Sequence, residues 1–209
     1  MSATYKINDG SLSYDIFAQA VFRVIGISKE GVAKVFQTQN PGKEGPEYPK
    51  YKNLLANVKE FQVRQLSPGK GLDEILVPAV EFIDRNLKLP VDSKEAVSLF
   101  KWISDIFVGF GQEAYFGKKL GEIEPDLVQI FQDFDECAWQ VLYQYPSILC
   151  GDMLNNKSKI QSAMERYFAL PVVERPGAAW LILELEKAMK RVDVSVSDSA
   201  IFFFQMYWR

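Results

Sequence analysis

The sequence predicts an all-α fold in a single helical domain spanning residues 1–209. Three observations predict it: apolar residues recur at helical spacing along most of the chain, strand-like alternation is confined to residues 192–196, and 48% of the residues are apolar. A chain of 209 residues has the size of one large domain, and no internal repeat divides it. We therefore expect about eight or nine helices around one core.

The first quarter of the chain contains two predicted helices and one long loop. Residues 13–26 are expected to form an apolar helix face from Ile16, Phe17, Ala20, Val21 and Val24. Residues 28–39 predict a short helix, because Ser28 suits the N-cap and Glu30 suits the positive end of the helix dipole. Residues 40–51 hold three prolines and two glycines, which predicts a loop that is a candidate lid over a binding site.

Three helices and a long apolar stripe follow. Residues 52–66 and 72–87 have helical spacing, and the SPGKG segment between them breaks the helix. A longer helix is expected from an Asp92 or Ser93 N-cap to Gly117. Its core-facing stripe is expected to consist of Ala96, Leu99, Phe100, Ile103, Phe107 and Phe110.

The rest of the chain predicts four helices. Residues 125–145 form an amphipathic helix, in which Pro125 takes the first position and which Pro146 ends. Three further helices are expected at residues 157–170, 177–192 and 197–209. The last of them carries aromatic side chains all round, which is typical of a buried helix.

Composition excludes several classes of function. The net charge is −3 without a basic stripe, so no nucleic-acid partner is expected. No apolar run approaches the ~20 residues of a membrane span, and residues 1–15 do not resemble a signal peptide. Two cysteines, Cys137 and Cys150, indicate reduced thiols and a cytoplasmic location. The absence of histidine excludes Ser-His and Cys-His catalysis and imidazole metal sites.

Two short motifs are compatible with ligand binding, but each has a simpler explanation. The glycines and alanine of GFGQEA at 109–114 fit a loose dinucleotide-binding pattern, yet they lie late in a helix without a preceding strand, which favours close helix packing. The carboxylates of DFDE at 133–136 are close enough to hold a hard cation. They also lie on the polar face of an amphipathic helix, and a second acidic motif is missing, so we expect a solvated surface and no metal site.

Residues 96–149 combine several features in a fixed order. A long helix runs into a turn with Glu113, Ala114, Phe116 and Gly117; then come Glu124-Pro125-Asp126, the pair Phe134-Asp135, and Tyr143 with Pro146. This order resembles cytochrome P450s, in particular fungal relatives of the sterol-hydroxylase and prostacyclin-synthase branch. A looser similarity covers roughly residues 12–209 and implies the N-terminal half of a P450 fold.

The catalytic parts of a P450 have no counterpart in this sequence. The resemblance implies that the oxygen-activating acid–Thr pair, the Glu-x-x-Arg core and the haem-binding Cys loop would follow Arg209. Neither Cys137 nor Cys150 has the surroundings of a haem ligand, and only Lys59 and Arg64 stand near the positions of the basic pair that holds the haem propionates. We therefore expect no cofactor. The chain is interpreted as a free-standing protein that keeps the substrate-binding half, because a fragment would expose a large apolar surface.

An apolar pocket without a cofactor is suited to chemistry directed by shape. The expected function is that of a haem-independent pericyclase of the Diels–Alder type, acting on a hydrophobic polyene or terpenoid carbonyl intermediate in fungal secondary metabolism; a norbornene-forming cyclase is one example. The resemblance implies that the loop after the second helix and the start of the last helix face the substrate. The candidate catalytic residues are Gln205 and Tyr51, and the candidate substrate-binding residues are Tyr48, Phe61, Phe202 and Trp208.

Other functions remain open. The chain is also compatible with a non-catalytic carrier of hydrophobic ligands, with a protein that binds a P450, or with a fragment of a P450 monooxygenase. A small hydrophobic substrate is the expected partner, and a homodimer is left open. The sequence does not determine the substrate or the stereochemical outcome.

Overall fold

The structure, a computed structural model, describes residues 14–37, 53–87 and 98–207. The described residues form eleven α-helices and no β-strand, which confirms the predicted all-α class. The helices are α1 Tyr14–Ile25, α2 Lys29–Phe36, α3 Leu54–Leu66, α4 Lys70–Asn86, α5 Leu99–Phe116, α6 Lys118–Ile123, α7 Leu127–Cys137, α8 Trp139–Leu142, α9 Gly151–Ala169, α10 Trp180–Arg191 and α11 Val196–Tyr207. None of these helices is long and apolar enough to cross a membrane.

Local capping explains where two of the helices begin. The Ser28 hydroxyl accepts a hydrogen bond from the Gly31 backbone N–H at 2.9 Å, so Ser28 is the N-cap of α2 as predicted. Helix α5 begins after Ser98, whose side chain accepts from the N–H three residues later. The predicted helix therefore does not run unbroken through Ser98, whose backbone is extended, while the N-cap candidates Asp92 and Ser93 lie outside the described residues.

Two predictions for the rest of the chain need correction. The helix expected over residues 125–145 is interrupted at Ala138, whose N–H turns back to the Asp135 carbonyl, so that α7 and α8 are separate. Helix α9 begins at Gly151 rather than at residue 157. Residues 192–196, whose short alternation was not expected to outweigh the all-α pattern, form no strand: Asp193 has φ +57, and the chain turns there into α11.

The core is built around α9, which packs against α7 on one side and α11 on the other. The Phe168 ring of α9 stacks on the Phe203 ring of α11, with centroids 4.3 Å apart and an interplanar angle of 23°. The Phe134 ring of α7 meets the Phe204 ring edge-on at 5.0 Å. Such offset and edge-to-face pairs are the favoured aromatic geometries. The prediction that the last helix is buried on all sides is confirmed for residues 200–204.

A buried ion pair connects the segment before α10 to that helix. The Arg175 guanidinium, which is fully buried, donates to both carboxylate oxygens of Glu186 at 3.0 and 2.7 Å. Lys190 adds a second cation, 2.6 Å from the same carboxylate. The guanidinium carbon lies 4.9 Å from the centre of the Tyr167 ring, so the charge rests on an aromatic face. The Arg175 Nε and Nη1 groups are buried without a hydrogen-bond partner among the described residues, so these contacts offset only part of the cost of removing the charges from water.

Two predicted core faces lie at the surface instead. On α1, Ile16 and Phe17 are exposed, while Phe22 and Ile25 are buried together with Ala18. On α5, four members of the predicted stripe are exposed: Leu99, Phe100, Ile103 and Phe107. We call these four residues the α5 stripe. It lies outside the core because α5 packs against α4 through a different line of residues, which includes Ile106 and Gly109.

Candidate functional site

The strongest candidate for a binding site is a cavity of about 600 Å³ between α1, α3 and α11. Its apolar wall consists of Phe22, Leu55, Ala56, Val58 and Phe202. Its polar wall consists of Asp15, Asn53, Lys59, Gln62 and Gln205. A volume of this size and a largely apolar wall with a few polar groups are typical of small-molecule sites.

The two faces of α3 explain why this helix borders a cavity. Leu55, Lys59 and Gln62 recur at intervals of four and three residues, so they share one face, and that face lines the cavity. Phe61 and Gln65 lie on the opposite, buried face. The Gln65 side chain accepts a hydrogen bond from the backbone N–H of Leu181 at 3.0 Å, which ties α3 to the first turn of α10. One helix therefore supplies both core contacts and cavity wall.

Two of the predicted site residues lie together in this cavity. Phe202 and Gln205 are three residues apart on α11 and both face the cavity. The Phe202 ring is held edge-on by Phe22 of α1, with centroids 5.5 Å apart. Gln205 is half-buried and makes no hydrogen bond within the described part of the chain, so both hydrogens of its amide can be donated to a ligand.

Of the remaining predicted site residues, only Phe61 lies within the described part of the chain, and it does not line this cavity. Phe61 packs on the other side of α3, where its ring meets Trp180 edge-on at 5.6 Å. Its contact is with the core rather than with the cavity, because it belongs to the face that α10 covers. Tyr48, Tyr51 and Trp208 lie outside the described residues.

Sequence reasoning missed most of the wall. Phe22 belongs to the face of α1 that the periodicity argument placed outside, and Gln62 and Asn53 carried no motif at all. The Asn53 side-chain oxygen is engaged as the N-cap of α3, since it accepts from the Ala56 N–H at 2.9 Å. Its amide nitrogen makes no hydrogen bond within the described residues and is left to face the cavity. The one sequence signal for this side of the cavity is Asn53, a residue type that suits a helix N-cap.

The two motifs weighed in the sequence have structural roles. At Gly109 a Cβ atom would lie 2.5 Å from the Phe82 ring of α4, so the glycine permits close packing of α4 and α5, as interpreted from the sequence. Asp133 lies exposed on α7 and accepts a hydrogen bond from Gln129 at 2.7 Å. Within residues 14–37, 53–87 and 98–207, no group of three or more His, Cys, Asp or Glu side chains could hold a metal ion.

Comparisons with models of protein families, with curated proteins and with solved structures give no match to this chain. The site is therefore interpreted from its own geometry.

Proposed function

We propose that the cavity between α1, α3 and α11 binds a hydrophobic polyene that carries a carbonyl group, and that the protein is a haem-independent cyclase of the Diels–Alder type. The observation that supports this proposal most directly is the position of Gln205, a free amide donor beside the aromatic wall of Phe22 and Phe202. The resemblance of residues 96–149 to cytochrome P450s also supports an apolar substrate.

The proposed reaction needs no base, no nucleophile and no redox partner. A diene and an alkene of the same substrate form two carbon–carbon σ bonds, and three π bonds are replaced by one, so atoms and electrons balance within the substrate. The apolar wall holds the folded chain in a reactive conformation, which reduces the entropic part of the barrier. The Gln205 amide donates to the carbonyl oxygen and stabilises the negative charge that develops there.

The test uses a synthetic linear aldehyde that contains a conjugated diene and an enal. We expect the protein to accelerate its cyclisation over buffer and to enrich one stereoisomer. Gln205→Leu should lower the single-turnover rate about tenfold or more, because one preorganised donor is lost. The matched control is Gln129→Leu, the same change on the exposed side of α7 and away from the cavity wall, and it should keep the rate.

Three results would separate the alternatives. If the aldehyde binds and Phe202→Leu weakens binding while no cyclised product forms, the protein is a carrier. If Gln205→Leu cyclises the aldehyde as fast as the unchanged protein, Gln205 is not the donor. If the aldehyde neither binds nor reacts, the proposed function is wrong for this substrate class.

A protein-binding role is the second candidate, and the α5 stripe favours it. Phe100 is 82% exposed and Phe107 is 59% exposed, on one face of the same helix. Contiguous exposed apolar residues of this kind are typical of contact surfaces. A P450 monooxygenase from the same source is the proposed partner. Sedimentation of a mixture should show a complex, and Phe100→Ser combined with Phe107→Ser should abolish it.

A further inference from the structure

A second cavity, of about 410 Å³, lies where α2 and α11 begin, beside Lys157 and Gln161 of α9. Hydroxyl and amide groups from Ser28, Ser195, Ser197 and Gln161 line it, together with Glu30, Lys34, Lys157 and Asp198. It is more polar than the cavity at Gln205 and shares no residue with it. The inference drawn from it does not rest on the proposed function.

The Asp198 carboxylate in this cavity is fully engaged. It accepts from the Ser28 N–H at 2.7 Å, from the Ser28 hydroxyl at 2.8 Å and from the Ser195 hydroxyl at 2.9 Å. It thus lies between the positive ends of α2 and α11, which stabilise its charge. A Cβ at Gly31 would come within 2.5 Å of its oxygen, so the glycine makes room for the carboxylate. We interpret Asp198 as a structural link between the two helices.

The other charged groups of the cavity differ in how they are paired. Lys34 pairs with Glu30 at 2.7 Å and with Asp193 at 3.2 Å. Lys157 has no carboxylate within ion-pair distance and no hydrogen-bond acceptor among the residues that the structure describes. It is therefore the one unpaired cation that the described lining contains.

The position of Lys157 on α9 explains its surroundings. It follows Met153 by four residues and precedes Ile160 by three, so it lies on the core-facing side of the helix, where both neighbours are buried. Its amine nitrogen is 3.1 Å from the point that a Cβ would occupy at Gly26, whose φ of +108 suits glycine. The same side chain also borders a third cavity of about 420 Å³. The amine is thus half-buried and accessible from two cavities.

The electrostatic surroundings favour the neutral amine. Burial lowers the pKa of Lys157, and no ion pair within the described residues opposes this effect. The titratable and charged groups that face it are Glu30, Lys34 and Asp198 in one cavity and Arg23, Tyr145 and Cys150 in the other. An amine that loses its proton readily is a stronger nucleophile at neutral pH, which is the usual basis of imine-forming lysines.

We propose that Lys157 is a carbonyl-reactive lysine and that the polar cavity takes a short hydroxyaldehyde, with which Lys157 forms an imine. The hydroxyl and amide lining suits a polar ligand. The lone pair of the Lys157 nitrogen attacks the aldehyde carbon and forms a C–N bond, while the carbonyl oxygen takes up a proton. The nitrogen then loses its protons, water leaves, and a C=N bond remains; no oxidant or reductant is needed.

Ser197 is the residue best suited to orient the aldehyde. Its oxygen accepts from the Gln161 amide at 3.0 Å, so its own hydrogen is left to donate to the carbonyl oxygen. The hydroxyls of Ser28 and Ser195 already donate to Asp198. Gln161 lies four residues after Lys157 on α9, and this places the amine and the Ser197 hydroxyl along the same wall.

The experiment traps the imine in the whole protein. The folded chain is incubated at neutral pH with glycolaldehyde and sodium cyanoborohydride, which reduces imines to stable amines, and labelled lysines are quantified by peptide mass mapping over time. We expect Lys157 to be labelled at least about fivefold faster than the exposed Lys159 two residues away, because its amine is more often neutral. Ser197→Ala should slow the labelling of Lys157 and leave that of Lys159 unchanged.

Two controls keep the result interpretable. Lys157→Met should remove the fast-labelled site while circular dichroism shows the same helix content, and Lys159→Met should keep the fast site. In urea-unfolded protein the two lysines should be labelled at equal rates. If Lys157 in the folded protein is labelled no faster than Lys159, or if Lys157→Met retains the fast label, the proposal is overturned.

Discussion

Two helix pairs in this molecule use apolar side chains in opposite ways. In the pair α9–α11, aromatic rings from both helices interlock, and residues 200–204 are buried on every side of α11. In the pair α4–α5, Gly109 lies against the Phe82 ring and Arg85 pairs with Glu113 at 2.6 Å, while the α5 stripe faces outward. Helices α5 and α11 are both rich in apolar residues, so apolar content alone does not decide which surface enters the core.

The difference follows from how closely the helix axes can approach. On α5, Gly109 lets the Phe82 ring of α4 fit directly against the helix backbone, and this close contact fixes which face of α5 is covered. Helix α11 carries large side chains instead of a glycine at its contacts, and these side chains pack against α9, α7 and α1. A small residue can therefore outweigh a stripe of large apolar residues in orienting a helix.

The largest expected effect comes from truncating a ring in each pair. Phe203→Ala should lower the free energy of unfolding by about 3–5 kcal/mol, because Phe203 is fully buried and stacked on Phe168. The matched change Phe107→Ala removes an exposed ring of the α5 stripe and should cost only about 0.5 kcal/mol. Urea unfolding followed by circular dichroism measures both. Equal losses would mean that the α5 stripe is covered in solution and that the comparison between the pairs fails.

The fold class was accessible from the sequence because helical periodicity is a local signal. The Ser28 cap, the end of α5 at Gly117 and the buried α11 were all predicted from residues within one or two turns. The orientation of α1 and α5 was predicted wrongly, since it depends on what packs against them from distant parts of the chain. Periodicity identifies an apolar face, but two such faces on one helix cannot be ranked without the partner helix.

A smaller effect is expected at the two glycines of α5. Gly109→Ala should destabilise by about 1–3 kcal/mol, because the new methyl group would overlap the Phe82 ring at 2.5 Å and displace α4. Gly111→Ala is the matched control, since no atom lies within 4 Å of its Cβ position, and it should stabilise the helix by about 0.5–1 kcal/mol. Thermal melts of the two variants should therefore shift in opposite directions. Shifts of the same sign would contradict close packing at Gly109.

Only part of the candidate site could be predicted. Gln205 and Phe202 were named because the resemblance to cytochrome P450s implied that this helix faces the substrate, and Gln205 was singled out as a polar residue in an otherwise apolar helix. Phe22 and Gln62 were not, because they reach the cavity only through the packing of α1 and α3 against α11. Lys157 belongs to no sequence motif either. It shares a helix face with Met153 and Ile160, and this placement indicates a half-buried lysine only once that face is known to be buried.

The smallest effect at neutral pH, and the one that most sharpens the comparison, concerns a tyrosine in each helix pair. Tyr167 of α9 is fully buried and donates to the Phe116 carbonyl at 2.9 Å, and burial raises its pKa to about 12 although the nearby Arg175 acts in the opposite direction. Tyr115 of α5 is partly buried, and burial raises its pKa too. At neutral pH, Tyr167→Phe should cost about 1 kcal/mol through the lost hydrogen bond.

The two tyrosines should differ more clearly in alkaline solution. An unfolded tyrosine loses its proton at about pH 10, whereas Tyr167 in the folded protein keeps its proton up to about pH 12. Between these two pH values the folded protein binds more protons than the unfolded chain, so its stability falls as the pH rises. Urea unfolding from about pH 9 to about pH 11 should show a steep loss of stability in the unchanged protein. Tyr167→Phe should flatten that loss more than Tyr115→Phe does, because Tyr167 is fully buried with its hydroxyl on the Phe116 carbonyl, whereas Tyr115 is only partly buried. A pH dependence that Tyr167→Phe leaves unchanged would show that the hydroxyl is not enclosed and that the two helix pairs are alike in solvent access.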